Sequence, residues 1–301
     1  MTKRSEASWL PAYAAFVLAC MVLVILEGAV VRATGSGGGC GNHWPLCNGN
    51  YFPHHPRLAT IIEYTHRSMT GVLTALAAAL IAWVFVAQPK GARTRRAAVW
   101  VGILLVTEAL LGAILVKGGY VEHNTSNARV IVQGIHFTNT MLLVAALTLT
   151  WWWLRPAEEV SVSPGGRVTM WLALAATLLV GATGSVAALA DTLFPSPTLR
   201  IGLLQDFSNT APLLIRMRWM HPAFAVLSAG FILWLCLRVR GRMVKWVFCL
   251  LILQMALGVT DVLLLAPTWM QVVHLLGADI YWIALVALAA DVLWPSIKTS
   301  D

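Results

Sequence analysis

Residues 59–86 read ATIIEYTHRSMTGVLTALAAALIAWVFV, and this stretch decides the class of the chain. From Met69 to Val86 it holds no charged side chain. At 1.5 Å per residue the whole run is long enough to cross a hydrocarbon core about 30 Å thick. Its first third nevertheless carries Glu63, His66 and Arg67. Seven further apolar runs surround it: Tyr13–Val31, Ala97–Val116, Val130–Trp153, Val168–Leu189, Leu213–Val239, Val244–Leu265 and Met270–Leu293. Hydrophobic residues make up 58% of the 301 positions and charged ones 11%, too few to solvate a globule of this size. These runs predict an all-α, polytopic membrane protein of eight transmembrane helices. The first run lacks a small-residue cleavage site and is followed by seven more, so it is expected to be a span and not a removable signal.

Working outward from His66, three other runs hold one histidine each near the same end: His136, His221 and His274. An ionisable side chain inside a span costs about 2.5–3.5 kcal/mol on insertion scales, so four at matched depth need a reason. One histidine alone is most simply a core residue bonded to a carbonyl. Two pairs of neutral imidazoles facing each other across a helix bundle would instead ligate two haem irons. Zinc would need three or four clustered ligands, and the spans contain no H-x-x-x-H or cysteine cluster.

The net charge of +8 reports orientation and not nucleic-acid binding. Basic residues gather at Lys3 and Arg4, at Lys90, Arg93, Arg95 and Arg96, at Arg155 and Arg167, at Arg238, Arg240, Arg242 and Lys245, and at Lys298. With eight alternating helices all of these fall on one side. The opposite loops hold fewer: Arg32, Arg57, Lys117, Arg129 and Arg200. The positive-inside rule puts both termini in the cytoplasm. All four histidines then lie roughly 6–12 Å below the outer surface.

Short matches predict two tandem four-helix bundles related by a pseudo-twofold repeat. Ala33-Thr34-Gly35-Ser36 is echoed by Ala182-Thr183-Gly184-Ser185, and Glu108-Ala109-Leu110-Leu111-Gly112 by Gln254-Met255-Ala256-Leu257-Gly258. His66 pairs with His221 in this scheme, and His136 with His274. Each half has an even number of helices, so the two share one orientation. The expected divisions are an N-terminal half over 1–155, a cytoplasmic linker over 156–167 and a C-terminal half over 168–301.

The halves differ chemically. Aligned on their histidines, Glu63 matches Arg218. The spacing of i to i+3 puts Glu63 on the His66 face of its helix, where a carboxylate can accept protons or stabilise a developing cation. The alternative is a structural ion pair with Arg67 at i+4. A guanidinium such as Arg218 suits a haem propionate, as do Arg67 and Arg216. The first outer loop, Gly35 to Cys47, contains Cys40 and Cys47, and a disulfide between them is expected on the oxidising side of the membrane. His43, His54, His55 and His123 read as solvated loop residues, and Cys20, Cys236 and Cys249 as small apolar ones. Glu27, Glu108, Asp261 and Asp279 have no assigned role, with Glu27 a rival to Glu63.

The Arg32-Ala33-Thr34-Gly35-Ser36-Gly37 stretch, the Cys40-x6-Cys47 loop with Trp44-Pro45-Leu46, and Glu63-x-x-His66 resemble the haem A synthase family, as do the single histidines that follow. The resemblance covers essentially the whole chain. It implies a resident haem b on His221 and His274, with His66 and His136 marking a substrate site for haem O. It implies that Glu63 acts in turnover, and that the C8 methyl of haem O becomes a formyl group with oxygen from water. It further implies a multi-pass protein of the cell membrane, an electron acceptor, and a haem-O-making prenyltransferase as a candidate partner. Family members with the first cysteine pair often carry a second pair in the third outer loop, but Asp191–Pro212 contains none. A di-haem b electron carrier (for example a quinol oxidoreductase subunit) and a haem transporter or chaperone remain as alternatives.

Overall fold

The computed structural model describes residues 3–156, 161–162 and 165–295, with side chains absent from the description for 3–8 and 161–162. Its helices are α1 (Lys3–Ala33), α2 (Leu58–Ala87), α3 (Arg93–Lys117), α4 (Asn127–Trp152), α5 (Gly166–Leu193), α6 (Leu199–Asp206), α7 (Leu213–Arg216), α8 (Met220–Cys236), α9 (Arg242–Leu263) and α10 (Thr268–Leu293). Eight stretches are long and apolar enough to cross a membrane, with α7 and α8 together forming one of them. The chain is a multi-pass membrane protein of all-α class. The expected linker lies partly outside the described residues; within it, Ser161 and Val162 pair antiparallel with Arg240 and Val239.

Local chemistry sets the helix boundaries. Ser126 caps α4 by accepting from the Arg129 amide at 3.3 Å, and Thr198 caps α6 from the Ile201 amide at 3.3 Å. Pro212 and Pro267 precede α7 and α10, where their missing amide protons cost nothing. The sixth span departs from the continuous run expected over Leu213–Val239. It breaks between Arg216 and Met220 because Pro222 removes a ladder donor and its ring crowds the carbonyl of Arg218. The short helix α6 sits in the loop before it and has no apolar run to announce it.

The spans α1 and α10 are the most enclosed. Leu10 and Val17 of α1, Leu143 and Leu147 of α4, and Leu285 and Leu288 of α10 belong to one fully buried cluster. Polar bonds lock the same helices together. The indole nitrogens of Trp152 and Trp282 donate across the α4–α10 seam, to Asp291 at 2.7 Å and to the Met141 carbonyl at 2.8 Å. Arg32, at the end of α1, donates to the Ala188 carbonyl (2.7 Å) and Thr192 hydroxyl (2.6 Å) of α5, and to the Gln271 amide oxygen of α10 (2.8 Å). One guanidinium thus joins the first span to two of the last four.

The tetrapeptide echo does not mark equivalent places. Ala33 is the last residue of α1, whereas Ala182–Ser185 lies well inside α5. Four-residue matches of small residues recur by chance in apolar helices. Replacing Arg32 with Gln removes charge-assisted bonds to both α5 and α10. It is expected to cost about 2–3 kcal/mol, read as a lower thermal midpoint of the detergent-solubilised protein; an unchanged midpoint would show that the helices α1, α5 and α10 do not depend on it.

Candidate functional site

All four intramembrane histidines lie about two turns inside their spans, at the end that carries the first outer loop and α6. Three of them are seated on a glycine of a neighbouring helix. A Cβ at Gly28, Gly184 or Gly258 would stand 3.0, 2.9 or 3.0 Å from Cε1 of His66, His221 or His274. Any larger residue there must push the ring away. Gly28 and Gly184 lie 38 and 37 residues before His66 and His221.

The structure brings His221 and His274 together. Their ring centroids are 6.3 Å apart and the planes are inclined at 76°. His221 Nδ1 lies 3.1 Å from the Val180 carbonyl, a contact that places the proton on Nδ1 and leaves the Nε2 lone pair free. The Gln254 amide nitrogen lies 3.1 Å from His274 Nδ1 and donates to the His274 carbonyl at 3.1 Å. The ring separation matches an imidazole on each side of one iron, with metal–nitrogen bonds of about 2 Å. The donor set therefore fits a bis-histidine haem.

His66 and His136 each have a buried Nδ1 with no hydrogen-bond partner. Such atoms are costly in a dry interior unless a ligand or a shift of the ring engages them. Beside His136 stands Glu108 of α3, with Oε1 at 3.6 Å from Nδ1. This carboxylate accepts from the Thr140 hydroxyl and from the Asn139 amide at 2.6 Å. The sequence reading left Glu108 unassigned, since nothing in an apolar helix tells which face it presents. Next to it a groove of about 490 Å³ opens between α4 and α5, with Ile135, Thr138 and Asn139 in its wall.

Glu63 is buried, 3% exposed, and its oxygens point at the first outer loop. Oε2 accepts from the Cys40 amide at 2.7 Å, and Oε1 accepts from both Nε and a terminal nitrogen of Arg67. Arg67 also donates to the carbonyls of His43 (2.6 Å) and Leu46 (2.7 Å). The pair therefore clamps the loop closed by the Cys40–Cys47 disulfide, which is present as expected. A carboxylate offers about four acceptor positions, so these three donors leave one free on Oε2.

Arg67 and Arg218, expected as propionate partners, are occupied by protein groups instead. Arg218 bonds Asp206 (2.8 Å), Asp191 (2.9 Å), Ser196 (3.3 Å) and the Gly202 carbonyl (2.9 Å). Sequence alignment on the histidines could not foresee that α6 brings Asp206 to this guanidinium. Arg216 is exposed, with no ion pair among the described residues. Asp261 Oδ1 and Asp279 Oδ2 are buried without hydrogen-bond partners. No group of three or more His, Cys, Asp or Glu is arranged for a metal ion among the described residues, in keeping with one histidine per helix.

An eight-span all-α membrane protein with one histidine near the same end of four spans, and a disulfide-closed loop clamped at that end by Glu63 and Arg67, is the class that fold and site define. Residues 11–286 match the family model described as cytochrome oxidase assembly protein, COX15-CtaA, and the chain belongs to that family. It is 40% identical over 296 residues to a protoheme IX farnesyltransferase of Thermus thermophilus, covering 95% of this chain and 49% of that protein. It is 35% identical over 137 residues to a heme A synthase of Exiguobacterium sibiricum (46% of this chain, 43% of the relative), and 40% identical over 132 residues to one of Bacillus pumilus (43% and 39%). The chain thus spans about half the length, or less, of the curated relatives it matches.

The glycine seats make a direct prediction. Gly184→Val places a side chain where the His221 ring lies, and overpacking of this kind is expected to cost about 1–3 kcal/mol of stability in thermal unfolding. A variant as stable as the parent would mean that the ring is not held against Gly184.

Proposed function

We propose that this protein is a haem A synthase, oxidising the C8 methyl group of haem O to a formyl group with oxygen taken from water. Family membership and the heme A synthase relatives support the reaction class. The observation that carries the assignment of sites is the contrast between the two histidine pairs. His221 and His274 form a closed pair, each ring nitrogen Nδ1 already engaged, as suits a porphyrin that stays. His66 and His136 keep buried Nδ1 atoms without hydrogen-bond partners, as suits ligands of a porphyrin that enters and leaves.

In this reading the resident haem b on His221 and His274 supplies one-electron redox chemistry between the substrate and an external acceptor. The remaining work belongs to side chains. His66 and His136 hold haem O, and the glycine under His66 lets its ring approach without a clash. Each oxidation level, from methyl to alcohol and from alcohol to aldehyde, removes two electrons and two protons. Glu63, one turn from His66, is the carboxylate for those protons and for the positive charge that develops on the reacting carbon. The disulfide loop is clamped by Glu63 and Arg67 at the end of α2 nearest His66.

The two groups of four spans are proposed to be parallel repeats. The recurring seats support this: Gly28 under His66 and Gly184 under His221, Glu108 beside His136 and Gln254 beside His274. The protein is placed in the cell membrane with both termini in the cytoplasm, on the basic-loop asymmetry. A relative named for protohaem farnesylation, and matched over half its length, supports a haem-O-making prenyltransferase as the neighbour that delivers substrate.

His221→Ala or His274→Ala is expected to remove the low-spin haem b spectrum of the purified protein, while His66→Ala or His136→Ala leaves it and abolishes haem A. Equal loss of haem b from variants of both pairs would favour a symmetric di-haem carrier. Glu63→Gln keeps the shape and one acceptor oxygen, removes the charge, and gives up the acceptor on the other side of the group. It is expected to fold, keep haem b, and lose haem A formation by at least about a hundredfold, leaving haem O and some alcohol in the extracted pigment. Haem A at near parental rates would return Glu63 to the purely structural clamp.

A further inference from the structure

Glu108 is a carboxylate inside a span, and the reaction as described does not use it. Its anchoring is elaborate. The Asn139 amide that donates to Oε2 also donates to the Leu104 carbonyl at 3.0 Å, and its own oxygen accepts from Thr107 at 2.8 Å. Thr140 donates to Oε1, the same oxygen that lies 3.6 Å from His136 Nδ1. That distance is too long for a hydrogen bond, yet the imidazole nitrogen is buried and has no other partner. A small turn of the His136 ring closes the gap. In the last four spans the corresponding place beside His274 is taken by Gln254, a neutral amide.

We propose that Glu108 is a positioning residue for His136: it accepts a hydrogen bond from Nδ1 when Nε2 binds the iron of the substrate porphyrin. The proposal rests on reading His136 as a ligand of haem O. A carboxylate in that place fixes the tautomer and ring plane, and it makes the imidazole a stronger electron donor than one with no acceptor at Nδ1; the Gln254 nitrogen beside His274 is a donor and offers none. The two porphyrins then differ in their readiness to be oxidised, the substrate being held by the more donating ligand and the resident haem by the less donating one. Electron flow from substrate to resident haem follows from that difference. A plain α3–α4 clasp would need only hydrogen bonding, which glutamine provides equally well.

The test uses the full-length protein in detergent, haem b in place, with added ferric haem O as the probe. Glu108→Gln is expected to weaken haem O binding about 10–100-fold. It is also expected to raise the midpoint potential of the bound haem O, with the resident haem b spectrum and potential unmoved. Glu108→Asp should recover part of both effects. Gln254→Glu should lower the potential of haem b, a gain that a clasp does not predict. Unchanged affinity and potential in Glu108→Gln would overturn the proposal even if turnover fell. If Glu108→Gln fails to fold, an unmoved haem b potential in Gln254→Glu overturns it instead. Haem O binding that is indifferent to His136→Ala would show that the ligand assignment itself, and not the role of Glu108, is wrong.

Discussion

The rest of the structure depends on how closely a helix backbone can approach an imidazole in a medium without water. A buried polar ring has to be partnered, and a haem ligand must also keep one nitrogen free. Seating the ring on glycine allows the close approach, because the adjacent helix presents no side chain at the contact. Gly28, Gly184 and Gly258 do this for His66, His221 and His274. Each seat fixes the spacing of a helix pair: α1 with α2, α5 with α8, α9 with α10. The packing that surrounds the site follows from those spacings.

The cost of leaving a cation unpaired in the hydrocarbon core accounts for the loop end of the molecule. Glu63 and Arg67 neutralise each other and hold three backbone groups of the disulfide loop. Arg218 gathers Asp191 and Asp206, drawing α6 against the entrance of the sixth span. Arg32 ties α1 to α5 and α10. These cations are structural keystones, and that explains why charges that looked ready for propionates are already engaged.

The sequence made the spans, the disulfide and the four histidines legible because each is carried by composition or by a single residue type. Long apolar runs announce membrane helices whatever their packing. What stayed hidden depends on which helix faces which. Glu108 stands in an apolar run whose buried face cannot be read from periodicity when most residues are apolar. Asp206 reaches Arg218 only because an eight-residue helix forms in a loop. Pro222 did stand in the sequence as a break in the sixth span, and the unbroken hydropathy around it concealed its effect. The Ala33–Ser36 echo falls at the end of α1 and inside α5, whereas Gly28 and Gly184 both sit against a histidine ring.

Under the proposed function, one histidine pair keeps its porphyrin and the other exchanges it. The most direct measurement is the identity and number of haems in the protein purified from cells that make haem O, by mass spectrometry of the acid-acetone extract before and after exhaustive washing with detergent. The account predicts one unmodified haem b per chain that survives washing, with haem A and residual haem O in the fraction that is lost. Two unmodified haems per chain, both retained and with no formylated pigment, would contradict it.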